Sequence, residues 1–396
     1  MGIQQVERQC VRGYCATGYE SMADTFADLF ATEGEEGAAL AIYRDGELLL
    51  SLWGGTRDKT GTLAWEEHTQ VNVFSASKGL VALCALQLVA TGKLALDRPV
   101  ADYWPAFAAE GKGEILVRDI LCHRSGLSAF SHPVADTAIY DWRQITDCIA
   151  RERPWWAPGT AQGYSPMIYG WIIGELVRRV ADVDSFDAYF QAQVAKPLEI
   201  ACSFGVEDSR LAELADVGPL KRFNAKSGAN DLGRLMKADP SGVVNKAFTN
   251  PMSLMMGTNS HQWRQAQIPA ANGHTSARAL AAVYGALANG GALKGGYSLL
   301  PEDFLSACWQ EQSAADQDRV LGAPLRFSLG FMLTGEREDC RFGRGERGFG
   351  HPGAGGCLGF ADPDHGIGFG YVTHRMGQGL LVDARAKKLV DALYEM

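Results

Sequence analysis

Two β-hairpin patterns lie near opposite ends of this 396-residue chain, and they constrain its fold more than any other feature. The first has Asp45-Gly46 between two apolar runs, at 38–43 and 47–52. Asp-Gly in this setting is typical of a tight hairpin turn, because such a turn needs positive φ angles. The second spans residues 356–372 and turns at Asp362-Pro363-Asp364-His365. The sequence therefore predicts strands at both ends of the chain.

Between the hairpins the apolar pattern is mainly helical. Residues Gly79–Ala90 are apolar almost all round, which predicts a helix that is buried on every side. Further helices are predicted at Met167–Val180 and Arg278–Ala288. A last stretch, Leu381–Leu393, has one apolar face and is expected to lie against a sheet.

These elements together predict an α+β fold. An antiparallel sheet is built from N- and C-terminal strands and flanked by helices, and a mainly helical region is inserted between them. No linker, charge block or internal repeat divides the chain, so residues 1–396 are expected to form a single catalytic unit. Its α/β region is predicted at about 1–75 and 290–396, and its helical region at about 76–289.

Composition argues against several classes of partner. The formal net charge is −9 and the basic residues are scattered, so no nucleic-acid partner is expected. No run of 18 apolar residues predicts a membrane span, and the first residues lack a signal-peptide pattern, so a cytoplasmic location is expected. The nine cysteines include no C-x-x-C pair and the histidines form no helical metal motif, so neither a metal nor a cofactor is predicted. The oligomeric state is left open.

Ser75 and Lys78 form an S-x-x-K pattern at the start of the predicted buried helix. Residues three apart share a helix face, so the amine can reach the hydroxyl. Burial lowers the pKa of an amine, which can then take the proton of a serine nucleophile near neutral pH. A capped helix with an exposed lysine would give the same short pattern, so the motif alone decides nothing.

Two later segments make the pattern more specific. Residues 155–165 place a Pro-Gly turn before Tyr164, and His351-Pro352-Gly353-Ala354 precedes a predicted strand. With Ser75 and Lys78, these segments resemble the three ordered motifs of the class C β-lactamase superfamily, and most closely the family VIII carboxylesterases. Supporting similarity, in segments such as 94–100 and 121–127, covers nearly the whole chain.

The resemblance implies an acyl-enzyme mechanism without a cofactor. Ser75 corresponds to the nucleophile, Lys78 to the activating lysine and Tyr164 to the residue that shuttles protons. It also implies an oxyanion hole made by the backbone N–H groups of Ser75 and Ala354.

Substrate binding is assigned to His351 and Gly353, and to Trp155 and Trp156, whose flat apolar side chains suit a pocket wall. Packing under the loop is an equally good explanation for the two tryptophans.

Two departures from the family pattern favour esters over β-lactams. His351 stands where β-lactamases have lysine, which removes a permanent charge that would face an anionic substrate. Pro166 stands where an asparagine often follows the tyrosine, and it is expected to fit the first turn of the next helix. The expected function is therefore hydrolysis of short-chain or small aromatic carboxylic esters, with weak β-lactam hydrolysis as a side activity.

Two other classes of function stay open on the sequence. A β-lactamase, a D-aminopeptidase or other small-amide hydrolase, or an acyltransferase of the same superfamily would share the three residues. A catalytically inactive binding or scaffold relative is the alternative of another class, although such a protein has no need to keep all three.

Overall fold

The computed structural model describes residues 2–220, 231–252, 254, 257–377 and 379–396 of the chain. In chain order the strands are β1 (Ile3–Arg8), β2 (Val11–Ala16), β3 (Gly37–Arg44), β4 (Glu47–Gly55), β5 (Val71–Asn72), β6 (Cys202–Phe204), β7 (Gly218–Pro219), β8 (Gly273–Thr275), β9 (Ser313–Ala315), β10 (Leu325–Phe327), β11 (Met332–Leu333), β12 (Phe349–Pro352), β13 (Leu358–Asp362), β14 (Ile367–Thr373) and β15 (Arg375–Met376).

The α-helices are α1 (Glu20–Thr32), α2 (Ser77–Ala90), α3 (Val117–Leu121), α4 (Trp142–Arg151), α5 (Ile168–Ala181), α6 (Phe186–Phe190), α7 (Asp231–Ala238), α8 (Val243–Thr249), α9 (His261–Gln265), α10 (Ala277–Ala288) and α11 (Ala384–Tyr394). A π-helical turn follows α6 at Gln191–Ala195. Short 3-10 segments lie at Phe74–Ala76, Val100–Asp102, Pro105–Ala108, Asp136–Tyr140, Asp208–Glu213, Glu302–Cys308 and Glu338–Cys340.

The main sheet has ten strands in the order β1-β2-β4-β3-β14-β13-β12-β11-β10-β9. Every neighbouring pair in it is antiparallel. At its centre β3 pairs with β14, from Ala38 opposite Thr373 to Arg44 opposite Ile367. Strands from the two ends of the chain thus meet in one sheet, which confirms the predicted α+β fold.

Both predicted hairpins are present. Asp45 and Gly46 have φ angles of 50° and 74°, the left-handed conformation that the tight turn requires. The hairpin of β1 and β2 was not predicted from the sequence, because β1 lacks the usual strand pattern. Only Val6 is buried in β1, so the strand carries no apolar alternation.

Helices cover both faces of the sheet. Residues 38, 40 and 42 of β3 pack into the core beneath α1 and α11, whereas residues 39, 41 and 43 face α10. Helix α10 lies so close to β14 that a Cβ on Gly368 would sit 2.1 Å from the backbone nitrogen of Gly285. The predicted helical region included this helix, yet the structure packs it on the sheet. The predicted division of the chain into an α/β region and a helical region stays a prediction.

A second, three-stranded sheet in the order β5-β8-β6 lies next to the start of α2. It holds the chain just before Ser75, because Val73 donates its N–H to the carbonyl of Gly273 (2.9 Å). Gly273 in turn donates its N–H to the Ser77 hydroxyl (3.0 Å). The described helices include none that is long and apolar enough to cross a membrane.

Candidate active site

Ser75 lies in a single 3-10 turn that leads directly into α2. The residue before it, Phe74, has a φ of 48°, which is an unfavourable backbone conformation for a bulky side chain. Such conformations persist where the surrounding structure fixes them, and they cluster at active sites. Ser75 is partly exposed, while Ala76 and residues 77–88 of α2 are buried. The turn therefore places the hydroxyl at the surface end of a buried helix.

Lys78 is completely buried, and its amine contacts three oxygen atoms. Nζ lies 3.1 Å from Ser75 Oγ, 2.8 Å from the carbonyl of Pro166 and 3.0 Å from the carbonyl of Ala270. Among the described residues, Lys78 forms no ion pair with a carboxylate. Burial lowers the pKa of Lys78 well below its ordinary value, because the ammonium loses its hydration and no described carboxylate pairs with it.

The neutral amine fits these contacts as a base. It has two N–H groups, which the carbonyls of Pro166 and Ala270 accept, and one lone pair, which is left for the Ser75 hydroxyl. The geometry therefore lets Ser75 donate its proton to Lys78.

Tyr164 lies opposite this pair. Lys78 Nζ sits 4.9 Å from the centre of the phenol ring. Tyr164 is only 4% exposed, and its hydroxyl lies 3.5 Å from His351 Nε2. Burial raises the pKa of the Tyr164 phenol, and a hydrogen bond with the Ser75 side chain partly offsets this effect. The phenol thus stays protonated over the neutral range, which suits a proton donor better than a base.

His351 is a neutral hydrogen-bond acceptor toward Tyr164. Its Nδ1 lies 2.8 Å from the carbonyl of Pro352, and a carbonyl only accepts, so Nδ1 carries the proton and Nε2 the lone pair. Burial lowers the pKa of His351 to about 3. Its lone pair can therefore orient the Tyr164 hydroxyl.

The turn at residues 353–356 faces Ser75 from the end of β12. In the described structure no acceptor is recorded for the N–H of Ser75 or of Ala354. Ala354 is partly exposed, while its neighbours on either side are buried. An oxyanion hole needs N–H donors without another acceptor, and the role of Ser75 and Ala354 in one stays a prediction.

Gly353 is held by close packing. Its N–H donates to the carbonyl of Cys357 (2.7 Å), so it is not free for a ligand. A Cβ at this position would lie 2.2 Å from the carbonyl oxygen of Val73. Gly353 thus brings the turn against the segment that carries Ser75, and its predicted contact with substrate stays a prediction.

The comparison with protein families agrees with this arrangement. A family model described as Beta-lactamase matches residues 22–392. The chain belongs to the beta-lactamase family.

Three proteins that are named for different activities resemble this chain over most of its length. "Esterase/beta-lactamase LipL" of Mycobacterium tuberculosis is 31% identical over 366 residues, which are 91% of this chain and 82% of that protein. The crystal structure of a family VIII carboxylesterase has a TM-score of 0.86 and 31% identity, with both chains covered completely. A penicillin-binding protein homologue from Caulobacter crescentus has the same TM-score and coverage at 32% identity.

In this beta-lactamase family member the two tryptophans pack mainly against the protein. Trp155 donates its indole N–H to the carbonyl of Ala129 (2.8 Å). Trp156 donates to the carbonyl of Ala161 (3.1 Å) and covers Gly163, where a Cβ would lie 2.3 Å from the indole. Both therefore support the segment that leads to Tyr164, and their role as pocket walls stays a prediction.

Sequence reasoning missed three groups of the site. Asp318 accepts the backbone N–H of Tyr164, and the carbonyls of Pro166 and Ala270 bind Lys78. The expectation that Pro166 lies in the first turn of the next helix is wrong, because α5 begins at Ile168. No side-chain pattern marks a backbone carbonyl, so the sequence carries no signal for the last two groups. No cluster of three or more potential metal ligands occurs in the described part of the chain.

Proposed function

We propose that the protein hydrolyses carboxylic esters through an acyl intermediate on Ser75, with Lys78 as the base and Tyr164 as the proton shuttle. It is a serine hydrolase of the beta-lactamase family. The observation that carries the proposal is the 3.1 Å contact between Ser75 Oγ and a buried amine that has no carboxylate partner among the described residues.

The acylation step follows from the contacts. Lys78 takes the proton as Ser75 Oγ attacks the ester carbonyl, and the oxyanion is bound by the N–H groups of Ser75 and Ala354. The protonated Lys78 then passes a proton through the Tyr164 hydroxyl to the leaving alcohol oxygen. The C–O bond breaks, the alcohol leaves, and the acyl group stays on Ser75.

Deacylation reverses the proton path. Water attacks the acyl-Ser75 carbonyl, and its proton goes to the neutral Lys78, with Tyr164 in the relay. The same two N–H groups hold the second oxyanion. Collapse of this intermediate returns the proton to Ser75 Oγ and releases the carboxylic acid.

The proposed substrates are short-chain or small aromatic esters. His351 is neutral, so it adds no permanent charge for the carboxylate of a β-lactam. The relatives named above include both an esterase/beta-lactamase and a family VIII carboxylesterase, which supports esters first and β-lactams as a minor activity. We also propose a cytoplasmic location, which fractionation of the native host would test.

A substrate panel separates the candidate functions. We expect turnover of p-nitrophenyl acetate and butyrate, slow turnover of nitrocefin and no cleavage of aminoacyl anilides. Fast anilide cleavage without ester turnover would replace the esterase with an amide hydrolase. Ester consumption that yields a new ester when an alcohol is added would indicate an acyltransferase. Absence of any adduct between a fluorophosphonate and Ser75 would favour an inactive relative.

Matched variants then test the roles of the three residues. Ser75→Ala should abolish the adduct. Lys78→Ala should slow acylation by two orders of magnitude or more, because the base is lost. Its control is Lys112→Ala, since Lys112 is also a buried amine bound by three carbonyls but lies outside the site.

Tyr164→Phe has its own control. It should slow acylation by about a hundredfold. The control is Tyr284→Phe, which removes a buried hydroxyl that has no hydrogen-bond partner in the described structure. If the two tyrosine variants lose acylation rate equally, or if the two lysine variants do, the loss reflects damage to the fold and not a catalytic role.

A further inference from the structure

Arg385 connects the C-terminal helix to the turn that carries Ala354. It lies in the first turn of α11, and its side chain is only 2% exposed. Its Nη2 donates to the carbonyls of Gly355 (2.7 Å) and Arg375 (2.8 Å). Its Nη1 binds Glu35 (2.8 Å), and its Nε binds Asp383 (2.9 Å). All three nitrogens of the guanidinium therefore donate hydrogen bonds to the protein.

Glu35 balances this charge from the other end of the chain. Its side chain is completely buried, and one oxygen accepts from both Arg385 and the Tyr371 hydroxyl (2.7 Å). The other oxygen accepts from the Thr373 hydroxyl (2.9 Å) and the N–H of Gly37 (3.2 Å). A buried ion pair of this kind is costly to desolvate, and apolar side chains of similar volume often give equal stability. Stability alone is thus a weak explanation for the pair, whereas the direction of its hydrogen bonds is specific.

Those bonds converge on the peptide next to Ala354. The carbonyl of Gly355 accepts from Arg385 and from the N–H of Gly377 (2.8 Å), while its own N–H donates to Gly379 (3.0 Å). Gly356 leaves room for the guanidinium, since a Cβ there would lie 2.6 Å from Nη2. With both of its polar groups bound, the Gly355 backbone cannot rotate freely. The same restraint holds the residue that follows Ala354, and it thereby limits the positions that the Ala354 N–H can take.

We propose that Arg385, held by Glu35, is a positioning residue for the oxyanion hole. The inference rests on the proposed function, because the turn matters to catalysis only if Ala354 binds an oxyanion. Donors that are fixed in advance stabilise the transition state without reorganisation, and loss of one such donor costs about a hundredfold to a thousandfold in rate. Arg385 itself touches no substrate in this account.

The test uses the full-length protein and separates positioning from stability. Arg385→Ala should lower the acylation rate constant by about ten- to a hundredfold with little change in KM. It should weaken binding of a boronic-acid transition-state analogue by a similar factor, but leave the affinity of a ground-state ester analogue unchanged. Added guanidinium ion at millimolar concentration should restore part of the rate by filling the cavity, and sodium ion should not.

Two further variants keep the test decisive. Arg385→Lys can still pair with Glu35 but cannot also reach Gly355, so it should fold and remain slow if Arg385→Ala fails to fold. Arg264→Ala removes another buried, ion-paired arginine, whose contacts lie at Leu211, Ala215 and Asp216. It should lower stability without changing the ratio of analogue affinities.

The possible outcomes are distinct. Wild-type kinetics in the folded Arg385→Lys and Arg385→Ala proteins would overturn the positioning role and leave the esterase intact. Loss of stability that matches Arg264→Ala, with no kinetic change in the folded fraction, would overturn it as well. A wild-type protein that forms no adduct at Ser75 would instead overturn the proposed function, and the positioning role with it.

Discussion

The Asp318 carboxylate binds the backbone N–H of Tyr164 with both of its oxygens, each at 3.0 Å. The carboxylate is buried and also accepts the N–H groups of Val320 (2.9 Å) and Leu321 (3.0 Å). On either side of Tyr164, His123 provides two further acceptors, its carbonyl for Gly163 and its Nδ1 for Ser165. The backbone that carries the phenol is therefore fixed through three consecutive N–H groups, those of residues 163–165.

Replacing Asp318 with alanine should loosen Tyr164. Several buried N–H groups would lose their acceptor, so we expect the free energy of unfolding to fall by about 2–4 kcal/mol. Acylation should slow at least tenfold in the folded protein, because the phenol moves relative to Ser75 and Lys78. Urea unfolding gives the first quantity, and stopped-flow release of p-nitrophenol gives the second.

The control for Asp318 is Asp187, which accepts the backbone N–H of Phe204 (2.7 Å) away from Tyr164. Asp187→Ala should lower stability without slowing acylation. If the two variants affect acylation equally once corrected for the folded fraction, Asp318 has no special relation to Tyr164.

The pH dependence of catalysis should report Lys78. Its pKa is lowered by burial, and only the neutral amine accepts a proton, so kcat/KM should rise with pH through the lowered pKa and then reach a plateau. The plateau should extend to alkaline pH, because burial raises the pKa of Tyr164. A pH series from 4 to 10 with p-nitrophenyl butyrate and a pH-independent product assay would show the acid limb and the plateau.

Lys78→Arg provides the complementary result. Arginine stays protonated, so the variant should be inactive across the whole series. An acid limb near pH 6.5 that disappears in a histidine variant would contradict the assignment to Lys78.

Gly353 offers a test of the turn that faces Ser75. In Gly353→Ala the new Cβ would lie 2.2 Å from the Val73 carbonyl, and neither backbone can yield without moving Ser75 or Ala354. We expect a loss of acylation of a hundredfold or more. Gly113→Ala is the control, since a Cβ there meets nothing within 4 Å. Active-site titration with a fluorophosphonate measures the acylation. If Gly353→Ala is acylated at the wild-type rate, the close approach of Gly353 to the Val73 carbonyl is excluded.

Much of the fold could be predicted from local patterns. Asp45-Gly46 favours a tight turn with positive φ angles, and the structure has this turn. The run at 79–90 is apolar on all sides and therefore favours a buried helix, which the structure also has. The S-x-x-K spacing likewise places Lys78 on the same face as Ser75, because that relation depends only on helix geometry.

The rest of the site depends on long-range contacts between groups without a sequence pattern. Lys78 reaches backbone carbonyls 88 and 192 residues away, and Asp318 binds a backbone N–H 154 residues away. Every residue has these backbone groups, so no residue type identifies the ones that are used. The tautomer of His351 was likewise not predictable, since it follows from the carbonyl that Nδ1 faces.

His351→Phe should show what the neutral imidazole contributes. The variant keeps a flat ring but loses the Nε2 lone pair that faces the Tyr164 hydroxyl at 3.5 Å. We expect kcat to fall by about ten- to a hundredfold, because the hydroxyl is no longer oriented for proton transfer. Since the pKa of His351 is lowered to about 3, the shape of the pH profile above pH 5 should not change. The matched control is His374→Phe, because His374 is also buried and its Nδ1 binds a backbone carbonyl, that of Asp216 (2.9 Å). An unchanged kcat in His351→Phe, or an equal loss in both variants, would show that Tyr164 is oriented without His351.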